Sequence, residues 1–256
     1  MKIEALLIDI DGVLTVGGEP VPGAQEAIGW LNDQGIRYRF VSNSTQRTRM
    51  QIAERLNTAG FTIDPGLIST PIGAALAFLE RKGITRCSLL VTDAATSEFH
   101  DAGIIDTSDE AGAVIIGDAG LKFTFRVLNE AFRLINDGAL FIALERDRYW
   151  MAEDGLTLAA GPFVAALEYA CGRSACVMGK PSPDAFLSAC AMLKTSPGQT
   201  AMIGDDIRTD VGGAQEAGLI GILVRTGKYS DEMLRNSNIT PDFSLPSIAM
   251  VKEIFG

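Results

Sequence analysis

The stretch from Ile3 to Thr15, Ile-Glu-Ala-Leu-Leu-Ile-Asp-Ile-Asp-Gly-Val-Leu-Thr, restricts the fold more than any other part of the chain. Its nearly unbroken apolar run, Ala5 to Ile8, predicts a strand buried on both faces of a sheet, the usual condition of a parallel strand. The run ends in Asp9 and Asp11, followed by Gly12. Side chains alternate along a strand, so residues two apart point the same way and the two carboxylates converge. Their meeting point is the carboxyl end of the strand, where open α/β sheets put their ligands. Two adjacent carboxylates there are costly unless something cationic joins them. The rest of the chain has to supply it.

Size and charge narrow the candidates. A chain of 256 residues holds one large domain or two smaller ones. The net charge of −10 argues against non-specific binding to nucleic acid or anionic membranes. An acidic protein that handles an anionic substrate needs a metal or a local positive site. No signal peptide is read before Lys2, and no apolar run is long enough to span a bilayer. Cys87, Cys171, Cys176 and Cys190 have neither zinc-site spacing nor the density of a disulfide scaffold, so reduced thiols in a cytoplasmic protein are expected.

Periodicity and breakers predict a helix over 22–33, a strand over 36–41, a helix over 46–59, a short segment at 67–70 and a helix over 71–82. Strand and helix alternating in this way imply a parallel sheet with right-handed crossovers. The pattern then starts afresh, with strands near 88–92, 113–117 and 139–144 and helices over 96–102, 123–136 and 162–170. A polar stretch over 145–155 carries Tyr149 and Trp150. The first pattern resumes near Val177, with helices over 183–193, 209–217 and 248–255 and strands over 200–203 and 219–224. The expected architecture is α/β: a doubly wound, Rossmann-like parallel-sheet core over 1–78 and 177–256, with an inserted α/β domain over 79–176.

Chemistry-bearing residues recur where strands end: Asp9 and Asp11, Ser42-Asn43, Lys180, and Asp205-Asp206 with Asp210. If the strands are parallel neighbours, all of these meet at one edge. Such an array suits phosphoryl transfer through the protein. Asp9 can attack phosphorus and form an aspartyl-phosphate, dividing one hard displacement into two easier ones. Asp11 then serves as acid for the leaving oxygen and as base for water. Carboxylates and phosphate together call for a hard divalent cation, which Mg2+ fits, with Asp205 a ligand beside Asp9. Lys180 offsets charge on the nucleophile, while Ser42 and the backbone N–H groups after Asn43 can hold phosphoryl oxygens.

The pattern Asp-x-Asp-Gly-Val-Leu, then Ser-Asn, then Lys-Pro, then Gly-Asp-Asp-x-x-x-Asp resembles the haloacid dehalogenase superfamily, all four of whose motifs stand here in order. The size of the insertion between Asn43 and Lys180 is similar to the large α/β cap of its NagD-like, para-nitrophenylphosphatase branch. Segments such as Ser97-Glu98-Phe99, Gly161-Pro162-Phe163 and Arg225-Thr226-Gly227-Lys228 resemble the phosphohistidine and pyrophosphate phosphatases within that branch. The resemblance implies Asp9 as nucleophile, Asp11 as acid and base, and Lys180 as charge stabiliser. It implies phosphate binding by Ser42 and Asn43. For Mg2+ it implies Asp9, the backbone carbonyl of Asp11, and Asp205, with Asp206 or Asp210 supporting from behind. Asp11 favours a phosphatase, because dehalogenases of the superfamily lack that second aspartate.

The implied substrates are small phosphorylated molecules: phosphomonoesters, and with them pyrophosphate or phosphoramidates. The oligomeric state is left open, cap-mediated homodimers being known among such relatives. Branch members often carry Thr-Asn-x-Asp where this chain reads Leu144-Glu145-Arg146-Asp147, so substrate specificity does not transfer. His100, the lone histidine, reads as a surface residue. Two rivals stand beside the phosphatase: a phosphotransferase using the same intermediate, and a silent regulatory binding protein on the same scaffold. The second is disfavoured because every catalytic position is filled.

Overall fold

The computed structural model describes residues 2–152 and 155–255. The chain begins with β1 (Ala5–Asp9), buried along its whole length. A small ribbon follows, β2 (Thr15–Val16) and β3 (Glu19–Pro20), then α1 (Ala24–Asp33), β4 (Arg37–Val41), α2 (Arg49–Thr58) and β5 (Ile68–Ser69). Thr70 caps α3 (Pro71–Lys82) by accepting the Gly73 N–H, and Pro71 fixes the first helical position. Then come β6 (Arg86–Leu90), α4 (Asp93–Asp101), β7 (Ile105–Asp106), β8 (Ala113–Ile116), α5 (Phe125–Asn136) and β9 (Leu140–Ala143). A hairpin of β10 (Tyr149–Ala152) and β11 (Gly155–Leu158) leads to α6 (Gly161–Cys171) and β12 (Cys176–Val177). The remainder is α7 (Pro183–Leu193), β13 (Thr200–Gly204), α8 (Gly213–Glu216), β14 (Ile220–Val224), α9 (Asp231–Arg235) and β15 (Phe243–Leu245).

Two compact units result. Met1–Ser42, Arg49–Ser69 and Lys180–Gly256 form the first, and Asn43–Thr48 with Thr70–Gly179 the second. The first unit is built on a six-stranded parallel sheet ordered β15-β14-β13-β1-β4-β5. Alternation along its strands serves two cores at once. Leu6 and Ile8 face Leu31 of α1 and Ile52 and Leu56 of α2. Leu7, Val41 and Met202 face Phe186 and Cys190 of α7 and Ala214 of α8. That two-sided covering is the doubly wound arrangement. Strand order reverses at β1, which has β4 on one side and β13 on the other.

The second unit has its own five-stranded parallel sheet, ordered β12-β9-β8-β6-β7. Cys87, Ile115 and Ile142 pack on Leu79 of α3 and Phe99 of α4. On the opposite face Val114, Ile116 and Phe141 pack on Ile135 of α5 and Val164 of α6. Because α3 puts Ile72, Ala75 and Leu79 into that core, it belongs with the second unit, ahead of position 79 where the sequence suggested the change.

Local departures from the sequence expectation have physical causes. α2 begins at Arg49 and not at 46, because the preceding residues are committed elsewhere in the second unit. There Gln46 Nε2 donates to Asp118 Oδ2 at 2.7 Å, and the Asp118 N–H donates to Thr45 Oγ1 at 3.3 Å. The closing segment Ile248–Ile254 is a 3-10 helix and not an α-helix. Ile248 and Val251 are buried and Ile254 packs against the same core, a spacing of three that matches three residues per turn. No helix among the described residues is long and apolar enough to cross a membrane.

Candidate active site

At the carboxyl end of the core sheet, β1 delivers Asp9 in register with Val41 of β4, and Ile8 pairs with Ile203 of β13, two residues before Asp205. Asp9, Lys180, Asp205 and Asp210 are all buried. Lys180 Nζ lies 2.6 Å from Asp9 Oδ1 and 2.7 Å from Asp210 Oδ1. One oxygen from each of Asp9, Asp205 and Asp210 lies within 4.8 Å of the others. These are hard oxygen donors at a separation one small divalent cation can bridge.

Charge in this cluster does not balance by itself, since three carboxylates face one ammonium. Burial pushes Asp9 up to about 8, with Asp210 and Asp205 adding to it against the pull of Lys180. Burial also pushes Asp205 up to about 6, although the Lys228 N–H lowers it. For Lys180 burial opposes the charge, but Asp210 and Asp9 outweigh it and hold the ammonium well above its usual range. The residues therefore fit a bound divalent cation: oxygen donors, converging, and short of positive charge.

Asp205 sits in a seat made by two glycines. The Lys228 N–H donates to its Oδ2 at 2.6 Å, and Thr226 Oγ1 donates to the Gly12 carbonyl at 2.5 Å, joining the two loops. A Cβ on Gly12 (φ +100°) would lie 1.9 Å from Asp205 Oδ2, and one on Gly227 (φ +59°) 2.1 Å from the same atom. Both positions combine a left-handed backbone with a close approach, which leaves only glycine. Gly227→Ala is therefore expected to lower stability by about 1–3 kcal/mol through overpacking, read as a lower melting temperature. An unchanged melting temperature would mean that the 225–228 loop moves freely away from Asp205.

Asp210 lies within a π-helical turn, Ile207–Gly212, a rare form that concentrates at functional sites. Asp206 caps this turn. Its Oδ1 accepts the N–H groups of Arg208 at 2.9 Å and Thr209 at 3.1 Å, while its own N–H donates to Asp210 Oδ2 at 3.1 Å. The two aspartates thus differ in kind: Asp206 shapes the turn, and Asp210 enters the buried cluster.

Other expected residues fall in different places. The Asp11 side chain is 58% exposed and pairs with Arg55 Nη2 at 2.8 Å. Ser42 is buried at the end of β4, where its N–H donates to the Ser69 carbonyl at 3.0 Å. Asn43 begins the short stretch grouped with the second unit. In that unit His100 is exposed in the last turn of α4. Glu145 is buried: Oε1 accepts the Ala160 N–H at 2.8 Å and Oε2 accepts the Asp147 N–H. Burial pushes its carboxyl up to about 7. With Arg146 Nη2 on Glu168 Oε2 at 2.8 Å, these bonds tie the 145–147 loop to α6. Tyr149 is exposed on β10, and the Trp150 side chain lies outside the described residues.

Sequence reasoning missed Arg55 and the direct part that Thr226, Gly227 and Lys228 play in seating Asp205. A mid-helix arginine reads as a solvated face, and a backbone N–H leaves no side-chain signature. The Thr-Gly-Lys run was the available signal.

Known proteins resemble the chain over most of its length. The family model described as haloacid dehalogenase-like hydrolase matches residues 6–105, and a second, described as haloacid dehalogenase hydrolase-like, matches residues 177–251. The chain is 46% identical over 232 residues to human haloacid dehalogenase-like hydrolase domain-containing protein 2, covering 90% of this chain and 88% of that protein. It is 37% identical over 259 residues to the phospholysine phosphohistidine inorganic pyrophosphate phosphatase of Xenopus laevis, covering 98% and 94%. Among solved structures, NagD from E. coli K-12 matches with a TM-score of 0.89 at 29% identity, over 97% of this chain and 98% of the other. A p-nitrophenyl phosphatase from Archaeoglobus fulgidus matches with a TM-score of 0.92 at 29% identity, over 99% and 100%.

Proposed function

Since the chain belongs to the haloacid dehalogenase-like hydrolases, we propose that it is a Mg2+-dependent phosphatase that acts on small phosphorylated substrates through an aspartyl-phosphate. The observation that carries this reading is the buried cluster in which Lys180 bridges Asp9 and Asp210 beside Asp205. In the first step an Asp9 oxygen bonds to phosphorus as the bond to the leaving oxygen breaks, and Asp11 gives that oxygen its proton. In the second, Asp11 takes a proton from the water that attacks phosphorus, and Asp9 is released. Lys180 orients Asp9 and offsets charge on the transferring group. The Ser42 hydroxyl and the Asn43 amide hold phosphoryl oxygens.

Asp9, Asp205 and Asp210, with the backbone carbonyl of Asp11, would hold the cation, and Asp206 maintains the turn that presents Asp210. When bound, Mg2+ supplies positive charge that the cluster lacks and that phosphate needs. The second unit is assigned the part of a cap that selects the leaving group. Four free thiols support a cytoplasmic setting.

The names of the relatives set the substrate panel: p-nitrophenyl phosphate, pyrophosphate and phosphoramidates, together with sugar and nucleoside phosphates. Phosphate release is expected from at least one class, to fall by about a hundredfold or more in EDTA, and to return with added Mg2+. Turnover that persists undiminished in EDTA removes the metal from the mechanism. Failure across the whole panel removes the phosphatase.

A further inference from the structure

The Asp11 side chain makes one hydrogen bond among the described residues, and it is not with the buried cluster. Arg55 Nη2, on the last turn of α2, donates to Asp11 Oδ1 at 2.8 Å across 44 positions of sequence. A last-turn arginine would ordinarily point to water or to its own helix end. This one is held by a helix whose Ile52, Ala53 and Leu56 are buried in the core. Its Nε is itself buried and has no hydrogen-bond partner among the described residues. Leaving a buried N–H unmet is costly, and the ion pair it permits is part-exposed, of a kind that adds little to stability. The arrangement therefore has no evident structural return.

It has a chemical one. A carboxyl group that exchanges protons has two oxygens, and its usefulness depends on which of them carries the proton. An Arg N–H donates to Oδ1 whether Asp11 is a carboxylate or a neutral acid. While Oδ1 is occupied as an acceptor, the proton resides on Oδ2. This is the logic of any acid or base oriented by a third group.

We propose that Arg55 is a positioning residue for Asp11, occupying Oδ1 so that Oδ2 exchanges the proton with the leaving group and then with water. The inference rests on the reading of Asp11 as general acid and base. The balance is unchanged from that reading: Oδ2–H passes to the leaving oxygen as its bond to phosphorus breaks, and Oδ2 later takes a proton from water. Arg55 fixes the geometry of both transfers and neither gains nor loses a proton.

The test compares kcat/KM for p-nitrophenyl phosphate and ethyl phosphate in the wild type, R55K, R55Q, D11N and the D11N/R55Q double variant. This parameter covers the steps through departure of the alcohol, so hydrolysis of the aspartyl-phosphate does not enter. Nitrophenolate leaves without a proton, whereas ethoxide needs one. The ratio of ethyl to nitrophenyl activity is expected to fall about ten- to a hundredfold in R55Q, part of what a positioned general acid contributes. R55K should recover part of it, and melting temperatures should stay at the wild-type value. Adding R55Q to D11N should lower the ratio no further, since the two act as one unit. A wild-type ratio in D11N sinks the reading of Asp11, and the role of Arg55 with it. A collapsed ratio in D11N beside a wild-type ratio in R55Q, or an additive loss in the double variant, overturns the role of Arg55 alone and leaves the mechanism standing.

Discussion

Asp9→Asn is expected to lower phosphate release by about four orders of magnitude or more, the scale on which removal of a nucleophile acts. The loss should come without loss of fold. Asp9 is one of three carboxylates crowded around Lys180, and burial already pushes it up to about 8. An amide of the same size carries no charge and so relieves the crowding of Asp9 with Asp205 and Asp210. Lys180 keeps Asp210 as a partner at 2.7 Å. The melting temperature of D9N in EDTA should accordingly equal or exceed that of the wild type. A phosphoryl group trapped on the acid-quenched wild-type protein should be absent from D9N. Turnover at the wild-type rate in D9N would sink the covalent mechanism, whatever the melting curve showed.

Much of this site was legible because burial and charge conflict openly in the sequence. A run such as Ala-Leu-Leu-Ile ending in Asp9 states both that the strand is buried and that something must offset the carboxylate. The same holds for Ala201 to Gly204 before Asp205, where β13 is buried throughout. Lys180 was found because a glycine and a proline flank it at a strand-to-helix junction. The core sheet followed from these strands and the helices between them, since parallel strands bury continuous apolar runs.

What escaped had no local signature. β7 and β12 are two-residue edge strands held by backbone pairing, too short for any period to show. The hairpin of β10 and β11 lies in a polar stretch, and its Leu156 and Leu158 are exposed, so its alternation marks no buried face. Asp154-Gly155 was a turn signal of the kind hairpins use. The sequence predicts an ordinary helix over 209–217, where the chain instead enters through a π-turn at Ile207–Gly212. Helical propensity does not reveal that the Asp206 carboxylate and the Asp210 side chain redirect the backbone bonds there. That turn carries Asp210 into the cluster, which is why the sequence could not rank Asp206 against Asp210. Arg55 escaped for a related reason, its partner being set by tertiary structure alone.

Lys180→Met is expected to damage stability and activity together, in contrast to D9N. Among the described residues the ammonium is the one cation within hydrogen-bond distance of both Asp9 and Asp210, and it is 4% exposed. Removing one member of a buried ion pair costs about 3–5 kcal/mol, because the other is left uncompensated. For a chain of this size that lowers the melting temperature by on the order of 10 °C. Turnover should fall by about a hundredfold or more through loss of charge stabilisation.

The dependence on pH separates charge from packing. Burial holds Asp9 and Asp205 above their unfolded values in the wild type, so its stability already rises as pH falls from 8 to 5. Without Lys180 the pull that lowers both is lost, and the stability of the variant rises more steeply. In the wild type the folded ammonium is held above its unfolded value, so its contribution is fully present below that unfolded value and unaffected between pH 5 and 8. The gap between variant and wild type should therefore narrow from pH 8 to pH 5 when both are unfolded in EDTA. Mg2+ should narrow it as well, since loss of the Lys180 charge leaves the carboxylates to bind a cation more tightly in the variant, and tighter binding to the folded state stabilises it more. A gap of equal size at both pH values would assign the contribution of Lys180 to the packing of its stem and not to its charge.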